Sequence, residues 1–552
     1  MTKPFKPEME IFGSLIISMI TRIMHVVFVF VFSIVFMGCN LFFDKEETSL
    51  AQLKSFTDYE DAINGVYGIL NISINNNRNI DYFYANLKAD DLSIWGGFRS
   101  DYYITPENYI DYLYNSGSNS CNQIGSGYNQ EDGTNTSYTW NNLYKTIVSA
   151  NNIIGQYPAY KDDGKIYGII GEAYLIRAYC YFRLTHIYGE IPLIEDTDVN
   201  FTVPKSPFVE IYELIEYDLM MAKKFLPSNN DSARIPFVTP HKGTVGTILA
   251  ELYLCWAGYP VKDYSKYEMA MNTASTVIDS MDYFGMGLVD DFAGLWGNNN
   301  LYNKEAVFSV YSNKEKIRYF NVPESKIFDI YNGSYYYTEY EFYNHYPKNY
   351  RRDITFINKL YYITISLTES GEYYVKVDSL YIDKALPCVN LIYRKFNYFD
   401  IFRDKNFTLD TINRECYGNQ RFDLYRFAHT LLTYSEAAAR CGHLDSKAYE
   451  CVNMIRRRAN HLDLHTPSEF DLKPGLSAEA FIDSVVAERG WELAGEPEGR
   501  WFDLIRLEKV EDLPQLRGIR DIDFPFNKIV TKEDYYFPIP QGDILLNPAL
   551  GK

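Results

Sequence analysis

One stretch sets terms for the rest of the chain. Residues 165–188, KIYGIIGEAYLIRAYCYFRLTHIY, are apolar nearly all the way round at helical spacing. A helix with one apolar stripe rests on a core, whereas one apolar on most sides has to be enclosed by neighbours. The chain must supply those neighbours, and it does. A first helix is expected over 48–72, capped by Thr57 or Asp58, with Tyr59, Ala62, Ile63, Val66, Tyr67 and Leu70 on its buried face. Trp140, Leu143, Tyr144, Ile147 and Ile154 form a second stripe. Further helices read over Glu210–Phe225, around Val245, Ile248, Leu249, Leu252 and Trp256, and over Tyr264–Ser280. Pairs of such helices joined by short loops predict tetratricopeptide-like hairpins, with a repeat of elements rather than of residues.

The pattern then changes. From about 282 to 425 it is irregular, with Tyr361–Thr368 and Tyr373–Ile382 alternating around Glu369-Ser-Gly-Glu372 as a hairpin. Helices resume with Phe427, Leu431, Tyr434, Ala438 and Cys441, continue to about Asn460, and return over Ala478–Ala494. Residues 86–138 carry Gly, Ser, Asn, Asp and Tyr without a period, so a long structured loop is expected, and loops of that length are usually functional. The fold class that follows is mostly α, with helical hairpins as scaffold and an irregular, partly β lobe. At 552 residues the chain exceeds one ordinary core, so two or three packed units or one large helical array are expected.

Several function classes are disfavoured. A net charge of −19 repels a nucleic-acid backbone. The eight cysteines (39, 121, 180, 255, 388, 416, 441 and 451) include no CxxC pair, and Cys441, His443 and Cys451 match no metal spacing, so no metal or cofactor is expected. There is no HExxH, GxSxG or P-loop. Adjacent carboxylates such as Asp90-Asp91 and Asp290-Asp291 do not identify a glycosidase, whose acids face each other across a cleft. A non-enzymatic role is expected. The 50 tyrosines, flat on the face and polar at the tip, suit wet recognition surfaces as well as cores.

The beginning of the chain specifies its destination. Val26–Met37 is uncharged and twelve residues long, a signal-peptide core rather than a bilayer span of about 20. Gly38-Cys39 at its end resembles a bacterial lipobox, although Phe36 replaces the usual aliphatic residue and Met37 is large. Met19 or Met24 is an alternative start. The expectation is a signal peptide over 1–38, acylation at Cys39, and an acidic tether over 39–48 that looks like the surface-export signal of Bacteroides-group lipoproteins.

Three long stretches and a tail then line up: GEAYLIRAYCYFRLTHIYGEIPLI (171–194), RFAHTLLTYSEAAAR (426–440), ERGWELAGEPEGRWFDLIRL (488–507) and YYFPIPQGDILLNPAL (535–550). In this order, behind a lipobox, they resemble the SusD/RagB family of outer-membrane lipoproteins over nearly the whole mature chain. The resemblance implies a helical region over 49–281, a C-terminal region over 282–552, and a lid-like protein that captures a glycan, or in some members a peptide, above a SusC-like TonB-dependent transporter.

Within those stretches Arg489, Glu492, Arg500, Asp503 and Arg506 are expected to form a structural charge network across the Gly495–Gly499 turn, with Trp491 and Trp501 beside it. Phe537-Pro-Ile-Pro540 is expected to lock an extended tail onto the body. The loop ADDLSIWGGFRSDYY (89–103) matches the family's ligand loop. Trp95, Tyr102 and Tyr103 offer flat faces to a sugar ring, while Asp91, Arg99 and Asp101 offer hydrogen bonds to hydroxyls. Trp95 tucked inward as a pin for the loop is the alternative. Trp296, followed by an amide-rich stretch, is a second candidate, and the tyrosine-rich run 331–346 a third. A peptide-binding lid and a purely structural surface lipoprotein are the rival readings.

Overall fold

The all-apolar stretch is a helix, and it is enclosed. In the computed structural model every residue from Ile169 to Thr185 is buried. The structure describes residues 55–75, 89–94, 134–157, 164, 166–197, 202–296, 301–312, 336–338, 340–357, 359–367, 373–381, 391–393, 395, 420–516 and 531–551. The helices of the first half are α1 (Phe56–Asn75), α2 (Thr134–Gln156), α3 (Tyr167–Tyr188), α4 (Phe208–Phe225), α5 (Lys242–Trp256) and α6 (Lys266–Asp279). Each packs on the next in chain order, with α1 also touching α3. The molecule is mostly helical, as expected.

Local chemistry sets the helix ends. The first helix starts at Phe56 because Ser55 and Asp58 cap each other: the Asp58 amide donates to Ser55 Oγ at 3.2 Å and the Ser55 amide to Asp58 Oδ2 at 2.8 Å. The cap is therefore Ser55, not Thr57 or Asp58. Helix α2 begins at Thr134, so the last residues of the expected 86–138 loop are helical. Its stripe ends on Ile153, which is fully buried, while Ile154 is only half-buried. Helix α4 begins two residues earlier than expected, with Pro207, extended at φ −66°, at its N-cap.

The second half contains α7 (Tyr340–His345), α8 (Tyr350–Thr355), α9 (Phe427–Arg440), α10 (Ser446–Ala459), α11 (Ala478–Glu492), α12 (Arg500–Arg506) and the short α13 (Gln541–Leu546). Three small sheets accompany them. Strands β1 (Ser93–Ile94), β3 (Tyr336–Thr338), β7 (Leu391–Tyr393) and β4 (Phe356–Ile357) lie side by side in that order, every pair antiparallel. Strand β2 (Ala306–Ser312) pairs with β8 (Gln420–Arg426). The expected hairpin is present as β5 (Lys359–Leu367) against β6 (Tyr373–Tyr381), in register from Lys359↔Tyr381 to Leu367↔Tyr373.

Helix α9 packs against α5, α6, α10 and α11. Residues Ser55–Lys552 thus form one compact unit. The tail returns as expected: the Phe537 amide donates to the Ile187 carbonyl at 2.7 Å. The Tyr536 ring lies over Gly189 (φ +78°), where an added Cβ would come within 3.1 Å of it. Among the described residues no helix is long and apolar enough to cross a membrane.

Candidate functional site

Among the described residues the densest knot of buried charge gathers around Glu492 and Glu305. The Arg426 guanidinium, at the end of β8, donates to Glu305 at 2.6 Å, to Glu492 at 3.0 Å and to both oxygens of Glu496 at 2.8 Å. Arg458 on α10 bridges Glu305 at 2.5 Å and Glu492 at 2.7 Å. Arg351 on α8 reaches Glu488 and Glu492, both at 2.7 Å, and Lys395 reaches Glu496 at 2.6 Å. Four cations thus meet four carboxylates in the interior, which is the condition for such charges to be tolerated there. Burial alone would raise Glu492, but Arg458, Arg426 and Arg351 outweigh it and hold it below the usual carboxylate range. Burial likewise lowers Lys395 despite its Glu496 partner.

A second knot lies alongside. Arg489 pairs with Asp503 at 2.8 Å and with Glu251. Arg506 pairs with Asp503 at 2.8 Å and with Glu436 at 2.6 Å. The single network expected over 489–506 is therefore divided: Arg489, Asp503 and Arg506 stay together, Glu492 joins the first cluster, and Arg500 turns to Asp90. Trp501 is fully buried.

The first cluster positions the chain above it. Glu305 Oε2 accepts the Val289 amide at 2.9 Å, and Arg458 donates to the Val289 carbonyl at 3.3 Å. Arg421, beside it on β8, donates to the carbonyls of Leu295 and Leu301, both at 3.0 Å, so one guanidinium holds both ends of the intervening segment. At the first end the half-buried Trp296 ring lies 5.2 Å from Lys395 Nζ and 5.6 Å from Arg426 Cζ, a doubly cationic backing for one aromatic ring. At the other end Tyr302 is 59% exposed and stacks on Tyr311 at 5.8 Å, 24° between planes. The Tyr311 hydroxyl is fixed in turn to the Phe237 carbonyl at 2.6 Å. Two aromatic rings, Trp296 and Tyr302, are thus each supported close to the ends of the segment that Arg421 holds.

The root of the other candidate segment meets the same turn. Arg500 holds Asp90 through two hydrogen bonds of 2.7 and 2.9 Å, and the Gly495 amide donates to Asp91 Oδ2 at 2.8 Å. Glu496, one residue on, is the partner of Lys395 and Arg426 under Trp296. Asp91 and Trp296 are thereby tied to one turn. The Asp91 side chain, however, faces inward and is fully buried, so its carboxylate is spent on the Gly495 amide rather than offered to a ligand at the surface. Trp95, Arg99, Asp101, Tyr102, Tyr103 and the anchor residue Cys39 lie outside the described residues. The end of the tyrosine-rich run is core: Tyr346 is buried, with its hydroxyl donating to the Trp491 carbonyl at 2.7 Å. Among the described residues no three His, Cys, Asp or Glu side chains come together to hold a metal.

Sequence reasoning missed Tyr302, Arg421, Lys395 and Glu305. Tyr302 had a signal, since it closes the amide-rich stretch that Trp296 opens. The others had none: Lys395 and Glu305 find their partners far away in sequence, and the carbonyls that Arg421 holds lie 120 or more residues upstream.

The model of the SusD family matches residues 266–552, more than half of the chain. The chain belongs to the SusD family. A second SusD-like model, described as starch-binding and associating with the outer membrane, matches residues 46–254. A SusD-like protein, P2, of Formosa agariphila is 25% identical over 455 residues, covering 76% of this chain and 80% of that one. The crystal structure of a SusD homolog from Bacteroides thetaiotaomicron has a TM-score of 0.69 at 22% identity, covering 92% of this chain and 98% of that one. Surface glycan-binding protein A from Bacteroides uniformis has a TM-score of 0.65 at 20% identity, covering 90% and 98%. The SusD fold is therefore shared along almost the whole length.

Proposed function

We propose that this SusD-family chain is a cell-surface glycan-binding lipoprotein. It captures an oligo- or polysaccharide without cleaving it and delivers it to a SusC-like TonB-dependent outer-membrane transporter. The observation that carries the reading is the pair of supported rings, Trp296 and Tyr302, held at the two ends of one segment by Arg421. A pyranose presents a flat face of C–H bonds, and a ring that is fixed before the ligand arrives loses little entropy on binding it. The family match and the glycan-binding relative support the same class of ligand. Trp95, Arg99, Asp101, Tyr102 and Tyr103 remain candidates on the adjoining segment. Asp91, buried and bonded to the Gly495 amide, is not offered to a ligand. Acylation at Cys39 would hold the protein on the outer membrane, in keeping with the outer-membrane description of the second matching model.

The test is a titration of the chain from residue 40 onward against a panel of polysaccharides and oligopeptides, beside Trp95→Ala, Trp296→Ala and Tyr302→Ala. Each ring that stacks on sugar contributes roughly 1–3 kcal/mol by analogy with base stacking, so each substitution should weaken one glycan about five- to 150-fold. Binding to peptides alone, or a glycan affinity unchanged in all three variants, would overturn the reading.

A further inference from the structure

Asp91 is an anomaly within an otherwise well-matched set of charges. Its side chain is buried, yet Oδ2 has a single donor, the Gly495 amide at 2.8 Å. Its Oδ1 is buried and makes no hydrogen bond. Three groups face it from the elements around it. Asp90, its neighbour in the chain, is a second carboxylate. Arg500, on α12, is the nearby cation, but two of its nitrogens are committed to Asp90 at 2.7 and 2.9 Å. Tyr393, on β7, gives its hydroxyl at 2.6 Å to the main-chain oxygen of Asp91 and not to the carboxyl group. A buried anion with one donor, no cation of its own and a carboxylate alongside is costly, whereas a neutral carboxyl in that place costs much less.

We infer that Asp91 is a positioning residue that clasps segment 89–94 to the Gly495–Gly499 turn in its protonated form, and that the clasp weakens when the carboxyl ionises. Burial first, and Asp90 second, push this carboxyl from an ordinary 3.8 up to about 7, against the opposing pull of the Gly495 amide, Arg500 and the residue's own amide. The sign follows. With the clasp closed the group holds its proton up to about pH 7, whereas with the clasp open it releases it near pH 4. The closed state therefore binds more protons between those values, and its advantage declines as pH rises from about 4 to about 7. The device does not depend on what the protein binds. It acts at the root of the segment that leads into Trp95.

Hydrogen exchange on the ligand-free protein tests it. Protection factors, corrected for intrinsic exchange, are followed from pH 5 to 8.5 for the Gly495 amide and for peptides covering 89–94, with peptides of α9 as control. One proton per opening gives about a tenfold fall per pH unit up to about pH 7, then a plateau, with no such slope in α9. Asp91→Asn, neutral at every pH and still able to accept the Gly495 amide, should give a flat profile. A flat wild-type profile, or a variant that falls in parallel with it, would overturn the inference. The wild-type profile decides alone should the variant fail to fold.

Discussion

Glu492 touches three guanidinium groups at once, and each comes from a different part of the chain: Arg351, Arg426 and Arg458. Removing its charge leaves three buried cations short of a partner, which costs more than the lost hydrogen bonds. Glu492→Gln should destabilise the fold by about 3–5 kcal/mol, measured by urea denaturation at neutral pH. Acid acts on the same groups. Burial alone would raise Glu436, but Arg506 and Arg440 hold it down to about 2 from an ordinary 4.5. A group depressed in the folded state contributes stability that is complete above its ordinary value and lost as pH falls through the folded one. The urea midpoint should therefore drop steadily from about pH 4.5 to about 2, and Glu436→Gln should flatten part of that slope. The sequence shows such residues only where both partners are close together, as with Arg489, Asp503 and Arg506. Glu305 and Arg458 stand far apart and carry no pattern, so their pairing becomes visible only in the fold.

The long helices were legible because each repeats its apolar positions over several turns. Their ends were legible only to within a few residues, because caps such as Ser55 with Asp58 compete with equally good neighbours. The hairpin of β5 and β6 was legible from its alternation. Strands β1, β3, β4 and β7 were not, since two or three residues cannot establish a period and their pairing is fixed by distant partners. The shape of the helical array depends on close approaches that periodicity does not report. Gly246 on α5 is one: an added Cβ would overlap Val277 Cγ2 on α6. Gly246→Ala should cost about 1–3 kcal/mol through overpacking, despite raising helix propensity, and a thermal denaturation midpoint would show it. Of the candidate site, Trp296 was visible in the sequence. Its backing by Lys395 and Arg426 and the companion ring of Tyr302 were not. Asp91 was read as a ligand contact because sequence gives a carboxylate's presence but not its direction.

At the scale of the molecule, the anchor and the body make separate predictions. Replacing Cys39 with Ala should move the protein from the membrane fraction to the soluble fraction without changing glycan affinity, read by fractionation and titration of the same preparation. A variant that stays in the membrane fraction unprocessed, beside a wild type that carries no lipid, would point to a plain membrane span in place of a lipid anchor.

The tail carries a consequence for how the chain is completed. The Phe537 amide closes on the Ile187 carbonyl at the end of α3, and Asn547 donates to the Val203 carbonyl, 344 residues upstream, at 2.7 Å. A chain is made from its N-terminus, so the helices of the first half are present long before these two donors exist. Until then the edge beside α3 stays open, with the Gly189 seat for Tyr536 unfilled. Closure of that edge thus waits for residues 535–551, and a chain cut short before them keeps an unsealed edge beside α3.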